Sequence, residues 1–519
     1  MKKIENNIFY LILGIIFALS SAMLSFQLII DDYYLTINII FTATVSFLCA
    51  IWFWIKTARK TCEIARSNII FTILCIIATC TVMMQLYLTK GVECKEIFKE
   101  WIINPFRVRY FIISIFSAMY IGIYIGNKIK EWILDLYHSL DTWDKKAYII
   151  ATVISFFVIA IVYSSNANWY LQYDKVYSLD SGWCFKQIFP HANYYDIRHP
   201  ILSVFTFPIW AIVTTVVNMF LPGNLSTMIV AILLQLFNAQ LLILIGLQLK
   251  ILTQNKWVFI FYMISFQTML YTMFFEKYQL CTFLVVLYVF TICNKKDNST
   301  ASLIASAGAM PTSCFIGISE LFTSDKLWTK IKKIAKIVLI TVLTFICLGR
   351  GHVLQYGMSE MLTQKEKFSN KSYTMQEKMI STTKVFQGAL TALPSNTTAN
   401  NKYLWEGLES NVSLVTIVII MTIITGGIVN RKKIFVKISA VWSIFAVILF
   451  VLLNWSTHET PLFAIYFSWA IIPLLVLGID WIVNKIKANP RIVYATITGI
   501  IMIVNIATIF DIQKFLQTL

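Results

Sequence analysis

Charge is scarce in this chain of 519 residues: only 13% are Asp, Glu, Lys or Arg, while 58% are hydrophobic. Soluble domains carry about a quarter charged residues, so a soluble globular or disordered protein is excluded. The mean hydropathy of +0.72 points to a polytopic membrane protein. No charge falls well inside an apolar window and no internal repeat is visible, which counts against a transporter or lipid-linked oligosaccharide flippase. The ten cysteines form no CxxC and no Cys/His cluster. Cys75 and Cys80 share a helix but stand too far apart in rotation to make an obvious ligand pair, so the cysteines read as small packing side chains. The five histidines, at 138, 191, 199, 352 and 458, fall in predicted loops, against an O-acyltransferase that needs one inside the membrane. A net charge of +17 raises the question of nucleic acid, but no basic stripe interleaved with aromatics is present.

What the chain does have is a series of apolar windows of the roughly 20 residues that a helix needs to cross a bilayer. They cover 7–30, 37–55, 69–88, 110–126, 147–163, 225–249, 257–275, 278–292, 334–348, 412–429, 435–453, 461–478 and 492–510. Two more, 200–221 and 301–318, are apolar but interrupted by Pro, Gly or polar residues. The first window follows Lys2 and Lys3 and is too long for a signal-peptide core, so it reads as an uncleaved anchor. Basic residues gather in short loops around Lys56–Arg66, Lys128–Lys146, Lys326–Lys336, Arg431–Lys433 and Lys485–Arg491, which the positive-inside rule assigns to the cytoplasm. The rule places Lys250, Lys256, Lys295 and Lys296 there too, provided 200–221 lies at the outer interface instead of crossing. The same parity makes 301–318 re-entrant, and Gly308, Pro311 and Gly317 suit a broken hairpin.

The expected fold is therefore an all-α polytopic membrane protein of about thirteen transmembrane helices plus interfacial and re-entrant segments. Its expected organisation is a four-helix module over 1–146, a core over 147–487 with outer loops 166–199 and 351–410, and a last helix within 488–519. Abundant Ile, Lys and Asn suggest an AT-rich bacterial genome and hence the bacterial cell membrane. Long loops in compact membrane proteins are functional or disordered. In the second one KEKFSNKSYTMQEKMISTTKVF has helical spacing, whereas TALPSNTTANN is turn-like.

The candidate chemistry lies in the first outer loop, LDSGWCFKQIFPHANYYDIRHPILSVF from Leu179. Acids and bases are costly where hydrocarbon meets water. Asp180 precedes Gly182 in a turn, and a carboxylate there either caps a short helix or acts as a base toward a hydroxyl. Arg198 and His199 suit a phosphate, one as a bidentate fork and one as a titratable donor, and Pro200 holds His199 extended. Against this, Asp196 and Arg198 are close enough to pair locally, and His191 reads as structural. Glu276, with Lys277, either ends a helix in water or faces a substrate, and His458 with Glu459 is either a polar turn or part of a site. Trp169, Tyr170 and Tyr173 form an interfacial belt that also suits sugar stacking.

This order of helix, outer loop with an early acid, basic-Pro step and apolar interfacial segment resembles the GT-C glycosyltransferases, among them the protein O-mannosyltransferases and the lipid A aminoarabinose transferases. Arg198-His199-Pro200-Ile201 resembles their Lys-Pro-Pro-Leu step, FFEKYQLCTFLVVLYVF from Phe274 their acid after a helix end, ASAGAMPTS from Ala305 their small-residue re-entrant segment, and HETPLFAIYFSW from His458 a late motif of bacterial members. In layout the resemblance covers 147 to about 487, and in residues only these patches. It implies a polyprenyl-phosphate sugar donor, Asp180 as the catalytic acid-loop residue, Arg198, His199 and Lys186 at the donor phosphate, and Asp196, Glu276, His458 and Glu459 as further substrate contacts. The acceptor stays unnamed: a cell-envelope glycan, lipid or protein. A divalent cation is left open, because the family's usual acidic pair is Asp180-Ser181 here. A polysaccharide polymerase with a large outer loop is the reading hardest to separate from this one.

Overall fold

The computed structural model describes residues 2–28, 36–89, 105–192, 194, 196–295, 299–323, 326–357, 359, 363, 374–393, 396–399, 401–405, 413–452 and 460–519. In chain order its helices are α1 (Lys2–Gln27), α2 (Thr36–Ser67), α3 (Ile69–Thr89), α4 (Pro105–Ser139), α5 (Thr142–Ser165), α6 (Leu202–Phe220) and α7 (Gly223–Thr253). There follow α8 (Lys256–Ile264), α9 (Phe266–Met273), α10 (Tyr278–Cys293), α11 (Ser299–Ala309), a 3₁₀ helix (Pro311–Phe322), α12 (Leu327–Cys347) and α13 (Met375–Gly388). A hairpin of β1 (Asn396–Ala399) and β2 (Lys402–Trp405) precedes α14 (Leu414–Val429), α15 (Ile434–Val447), α16 (Ile465–Ile486) and α17 (Pro490–Leu516).

The protein is an all-α polytopic membrane protein with one small β-hairpin. Nine helices among the described residues are long and apolar enough to cross a bilayer, and three more are apolar but shorter. The difference from the thirteen expected windows has local causes. Window 257–275 is broken at Ser265, which caps α9 and takes an extended backbone. The windows at 278–292, 412–429 and 435–453 are the three shorter helices. The window at 334–348 lies in α12, whose first half carries Lys330, Lys332, Lys333 and Lys336. Conversely α6, expected along the interface, is a continuous helix of 19 residues and one of the nine.

The chain divides into two compact units. The first comprises Met1–Trp143, Gln187–Ser226 and Val338–Ser359. Its α1, α2 and α4 pack around Phe17, Ala50, Trp54 and Tyr120, with the Phe17 and Tyr120 rings 4.7 Å apart. A second cluster joins Met83 and Leu86 of α3 to Phe207 and Ala211 of α6. Outward positions stay apolar, such as Leu11 and Ile37, as lipid-facing surfaces require. Arg350, fully buried in this unit, donates to the carbonyls of Leu28, Ala192 and Pro200 at 2.7, 2.9 and 2.8 Å.

The second unit comprises Asp144–Lys186, Thr227–Ile337 and Glu360–Leu519. At one of its ends Lys250 at the close of α7 binds Asp144 at the start of α5, both buried, at 2.9 Å. Asp480 near the end of α16 accepts from Asn255 and from the Tyr494 hydroxyl, each at 2.6 Å, and Trp257 stacks on Tyr494 at 4.6 Å. The opposite end gathers the close of α5 and the close of α17, where Asn166 donates to the Leu516 carbonyl at 3.1 Å and Gln513 to the Ser165 hydroxyl at 3.0 Å. Helix α5 therefore leaves the Asp144 end and α7 returns to it.

The segment expected to be re-entrant folds back on itself. Helix α11 lies along α10 and the 3₁₀ helix lies along α11. Eleven α-helical residues reach only about 17 Å and twelve 3₁₀ residues about 24 Å, both short of a crossing. Helices α14 and α16 cross in contact at two glycines, where a Cβ on Gly426 would meet the Leu474 carbonyl oxygen at 2.0 Å and one on Gly478 that of Thr422 at 2.0 Å. Such small residues let membrane helices approach backbone to backbone.

Candidate functional site

The site is built where the α9–α10 break meets the loop after α5, both in the second unit. Asp180 occupies the N-cap position of a one-turn helix, Ser181–Trp183, yet its side chain makes no capping bond. Its carboxylate instead meets the Lys277 ammonium, Oδ2 to Nζ at 3.0 Å, with Lys277 1% exposed and Asp180 21%. Glu276, fully buried, accepts from the Asp180 backbone N–H through Oε1 and from the Lys277 N–H through Oε2 at 3.0 Å. The Cys184 thiol donates to the same Oε2 at 3.6 Å. The Lys277 ammonium also lies 4.9 Å from the centre of the Trp183 ring and 5.3 Å from that of Tyr278, close enough for cation–π attraction.

Burial pushes the Glu276 carboxyl above the usual carboxylate range, although the adjacent Lys277 ammonium opposes it. Burial works against the Lys277 charge, but Tyr278, Glu276 and Asp180 together outweigh it and hold the ammonium protonated. Burial, with Glu276 beside it, drives the Cys184 thiol up, so it stays a neutral donor. Glu276 thus fixes the backbone that presents Asp180, and Lys277 fixes the carboxylate. One Asp180 oxygen is held and the residue keeps a path to solvent.

The loop carrying Asp180 is unusual. Asp174, Tyr177 and Ser178 have φ of +53°, +48° and +60°, left-handed values that L residues seldom adopt and that neighbours must enforce. The enforcement comes from the hairpin. Tyr177 N–H donates to the Tyr403 carbonyl at 2.8 Å, and Tyr403 N–H to that of Lys175 at 2.7 Å. Lys402 pairs with Asp174, and the Tyr177 hydroxyl donates to Asn396 at 2.9 Å. The stretch TALPSNTTANN, expected as a turn, therefore supplies β1 and the turn to β2, with Asn401 at φ +60°. Gly182 has no room for a side chain, since a Cβ would lie 2.4 Å from the Leu171 carbonyl oxygen.

Of the expected site residues, Asp180, Glu276 and Lys186 share this unit, and Lys186 is exposed. Asp196, Arg198 and His199 belong to the first unit. There Asp196 receives the Arg198 fork, Nε to Oδ1 and NH2 to Oδ2 both at 3.1 Å, and His199 is buried. His458 and Glu459 lie outside the described residues. Cys184 was not singled out from the sequence, and Lys277 was named only beside Glu276, for which a helix end in water and a substrate contact were both open; tertiary packing buries both residues. Among the described residues no group of three or more His, Cys, Asp or Glu side chains could hold a metal ion. The carboxylate pair Asp180–Glu276 does not fit a divalent cation either, because the Lys277 ammonium already faces it.

The fold and site define a multi-pass, largely helical membrane protein in which a buried lysine and glutamate hold a partly exposed aspartate at one end of a helical unit. No known protein family, curated protein or solved structure matches the chain.

Proposed function

We propose that the protein is an integral membrane glycosyltransferase that moves a sugar from a polyprenyl-phosphate donor to an extracytoplasmic acceptor, with inversion. The observation that carries the reading is the Asp180 carboxylate, held by the buried Lys277 and Glu276 and still partly exposed. The end of the unit opposite Asp180 holds Lys145, Lys146, Lys250, Lys256, Lys485 and Arg491. By the positive-inside rule that end is cytoplasmic, which turns Asp180 outward, toward lipid-linked sugars in the outer leaflet of a bacterial cell membrane.

In this scheme the oxygen of Asp180 not bound to Lys277 takes the proton of the acceptor hydroxyl as that hydroxyl attacks the anomeric carbon. The bond from that carbon to the phosphate oxygen breaks, and the polyprenyl phosphate departs. Negative charge grows on the phosphate in the transition state, where a fixed cation stabilises it. Lys186, exposed six residues beyond Asp180, is the cation on the same loop, whereas the guanidinium of Arg198 is already committed to Asp196. Lys277 stays protonated and holds the Asp180 carboxylate in place as an ion pair.

The test is transfer from a synthetic polyprenyl-phosphate sugar by the purified full-length protein in lipid nanodiscs. Asp180→Asn should lower the rate by roughly 10²–10⁴-fold, the usual worth of a general base, with expression and membrane insertion unchanged. Near-normal transfer by this variant would sink the assignment.

A further inference from the structure

Helix α13 carries a buried cation that none of the described residues neutralises. Lys384 is 1% exposed, and among the described residues no hydrogen bond, ion pair or ring contact reaches its ammonium. Burial with no opposing charge holds the ammonium below the usual lysine range. The polar groups at the end of α13 and just beyond it bond to other partners. Gln387 accepts from the Thr416 hydroxyl at 2.6 Å, the Gly388 carbonyl accepts from Gln267 at 3.0 Å, and Asn505 binds the Leu390 carbonyl at 3.0 Å and the Ala392 N–H at 2.8 Å. The one acid of α13, Glu377, stands at the other end of the helix in a capping box with Thr374. A charge buried without a partner is among the most costly features a fold can carry. With no partner among the described residues, the ammonium is placed to take a bound anion.

The place of α13 narrows the anion. Gln387 ties the helix to the first turn of α14, whose Leu414 and Val415 are 75% and 60% exposed, as lipid-facing residues are. The turn Thr460–Phe463 packs on α13 and also on the site, since the Leu462 carbonyl accepts from the Tyr271 hydroxyl at 2.6 Å and Phe463 meets Tyr278 at 5.8 Å. Lys384 is therefore one helical turn from the level at which an apolar, lipid-facing surface begins, in the part of the unit that carries Asp180. Lysine binds phosphate as a compact point charge, and cations between membrane helices near the headgroups bind lipid phosphates.

We propose that Lys384 is the cationic anchor of a phosphate-binding site, taking the phosphate group of an isoprenoid or other lipid phosphate. The site goes beyond the transfer reaction, because phosphate binding at α13 is measurable without any turnover. The test follows thermal unfolding of the full-length protein in detergent with farnesyl phosphate, inorganic phosphate or neutral farnesol added. Farnesyl phosphate should raise the unfolding midpoint of the wild type and farnesol should not. Protection by inorganic phosphate as strong as by farnesyl phosphate would keep the phosphate site and assign it to the soluble anion. Lys384→Met should weaken the protection at least tenfold in ligand concentration. Without ligand it should be as stable as the wild type or more so, because an unneutralised charge is gone. Lys384→Arg, which keeps the charge, should retain part of the protection. The proposal is overturned if neither phosphate protects the wild type, if Lys384→Met is protected like the wild type, or if that variant is less stable without ligand. Asp180→Asn should bind farnesyl phosphate normally, so loss of transfer and loss of phosphate binding are read separately.

Discussion

Replacing Lys277 by Met would leave two carboxylates, Asp180 and Glu276, around a site with no cation. At 3.0 Å and an effective dielectric constant of about 20, the gross attraction to Asp180 is about 5 kcal/mol. Part of this offsets the desolvation of an ammonium that is 1% exposed. Breaking a buried pair by removing one partner costs about 3–5 kcal/mol, most of it from the charge left behind. The partial exposure of Asp180 puts the expected loss near the lower figure, about 3 kcal/mol. The informative experiment is a double-mutant cycle of Lys277→Met and Asp180→Asn, followed by denaturant unfolding in mixed micelles at fixed protein and detergent concentration. Asp180→Asn removes one of the two stranded negative charges, so the double variant should recover about 1–2 kcal/mol relative to the sum of the singles. Independent sites add within about 0.5 kcal/mol. Additivity of that quality would mean that Lys277 and Asp180 do not act on one another, and the account of how Asp180 is held would be wrong.

Two further outcomes follow from the same geometry. Gly182→Ala places a methyl group against the Leu171 and Gln172 carbonyls, so it should cost about 1–3 kcal/mol by overpacking and displace the Asp180 loop, seen as faster proteolysis within 166–186. His352 is buried in the first unit, where burial first and then the Arg350 charge pull its imidazole down to about 4. Its unfolded value is about 6.5, so between those values the unfolded chain binds the extra proton and stability is lost as pH falls. His352→Gln should flatten the fall in thermal midpoint between pH 6.5 and 4, and an unchanged slope would assign it to other groups.

The parts of this protein that depend on sums over neighbouring residues were readable in the sequence. Apolar windows located most of the helices, because a bilayer imposes one length on every crossing. Clustered lysines predicted that Lys250 shares a side with Lys145 and Lys146, and the Asp144–Lys250 pair places it there within the second unit. What escaped depends on distant partners. Ser265 interrupts a helix because the Phe266 N–H turns to the Leu390 carbonyl at 3.0 Å, and nothing near Ser265 announces it. Lys384 lies in a stretch legible only as having helical spacing, which does not say which face is covered. Glu276 and Lys277 read equally as a wet helix end or a substrate contact, and only the fold shows them buried. Asp180 itself was legible as an acid at a turn, whereas its partners lie 96 and 97 positions away.

That distance bears on how the two acids of the group are brought together and kept distinct. Here the residue after Asp180 is Ser181, and the second carboxylate arrives from Glu276. It does not arrive as a second base. Both Glu276 oxygens accept bonds, from the Asp180 N–H, the Lys277 N–H and the Cys184 thiol, and burial pushes its carboxyl up. The two acids thus differ in their surroundings, one buried and spent on backbone geometry, the other partly exposed and paired with an ammonium. Environments that divide a carboxylate pair in this way are how acid and base roles are assigned at neutral pH. The consequence is that Asp180 is the one of the two carboxylates open to solvent, while the fixed positive charge beside it is supplied by Lys277.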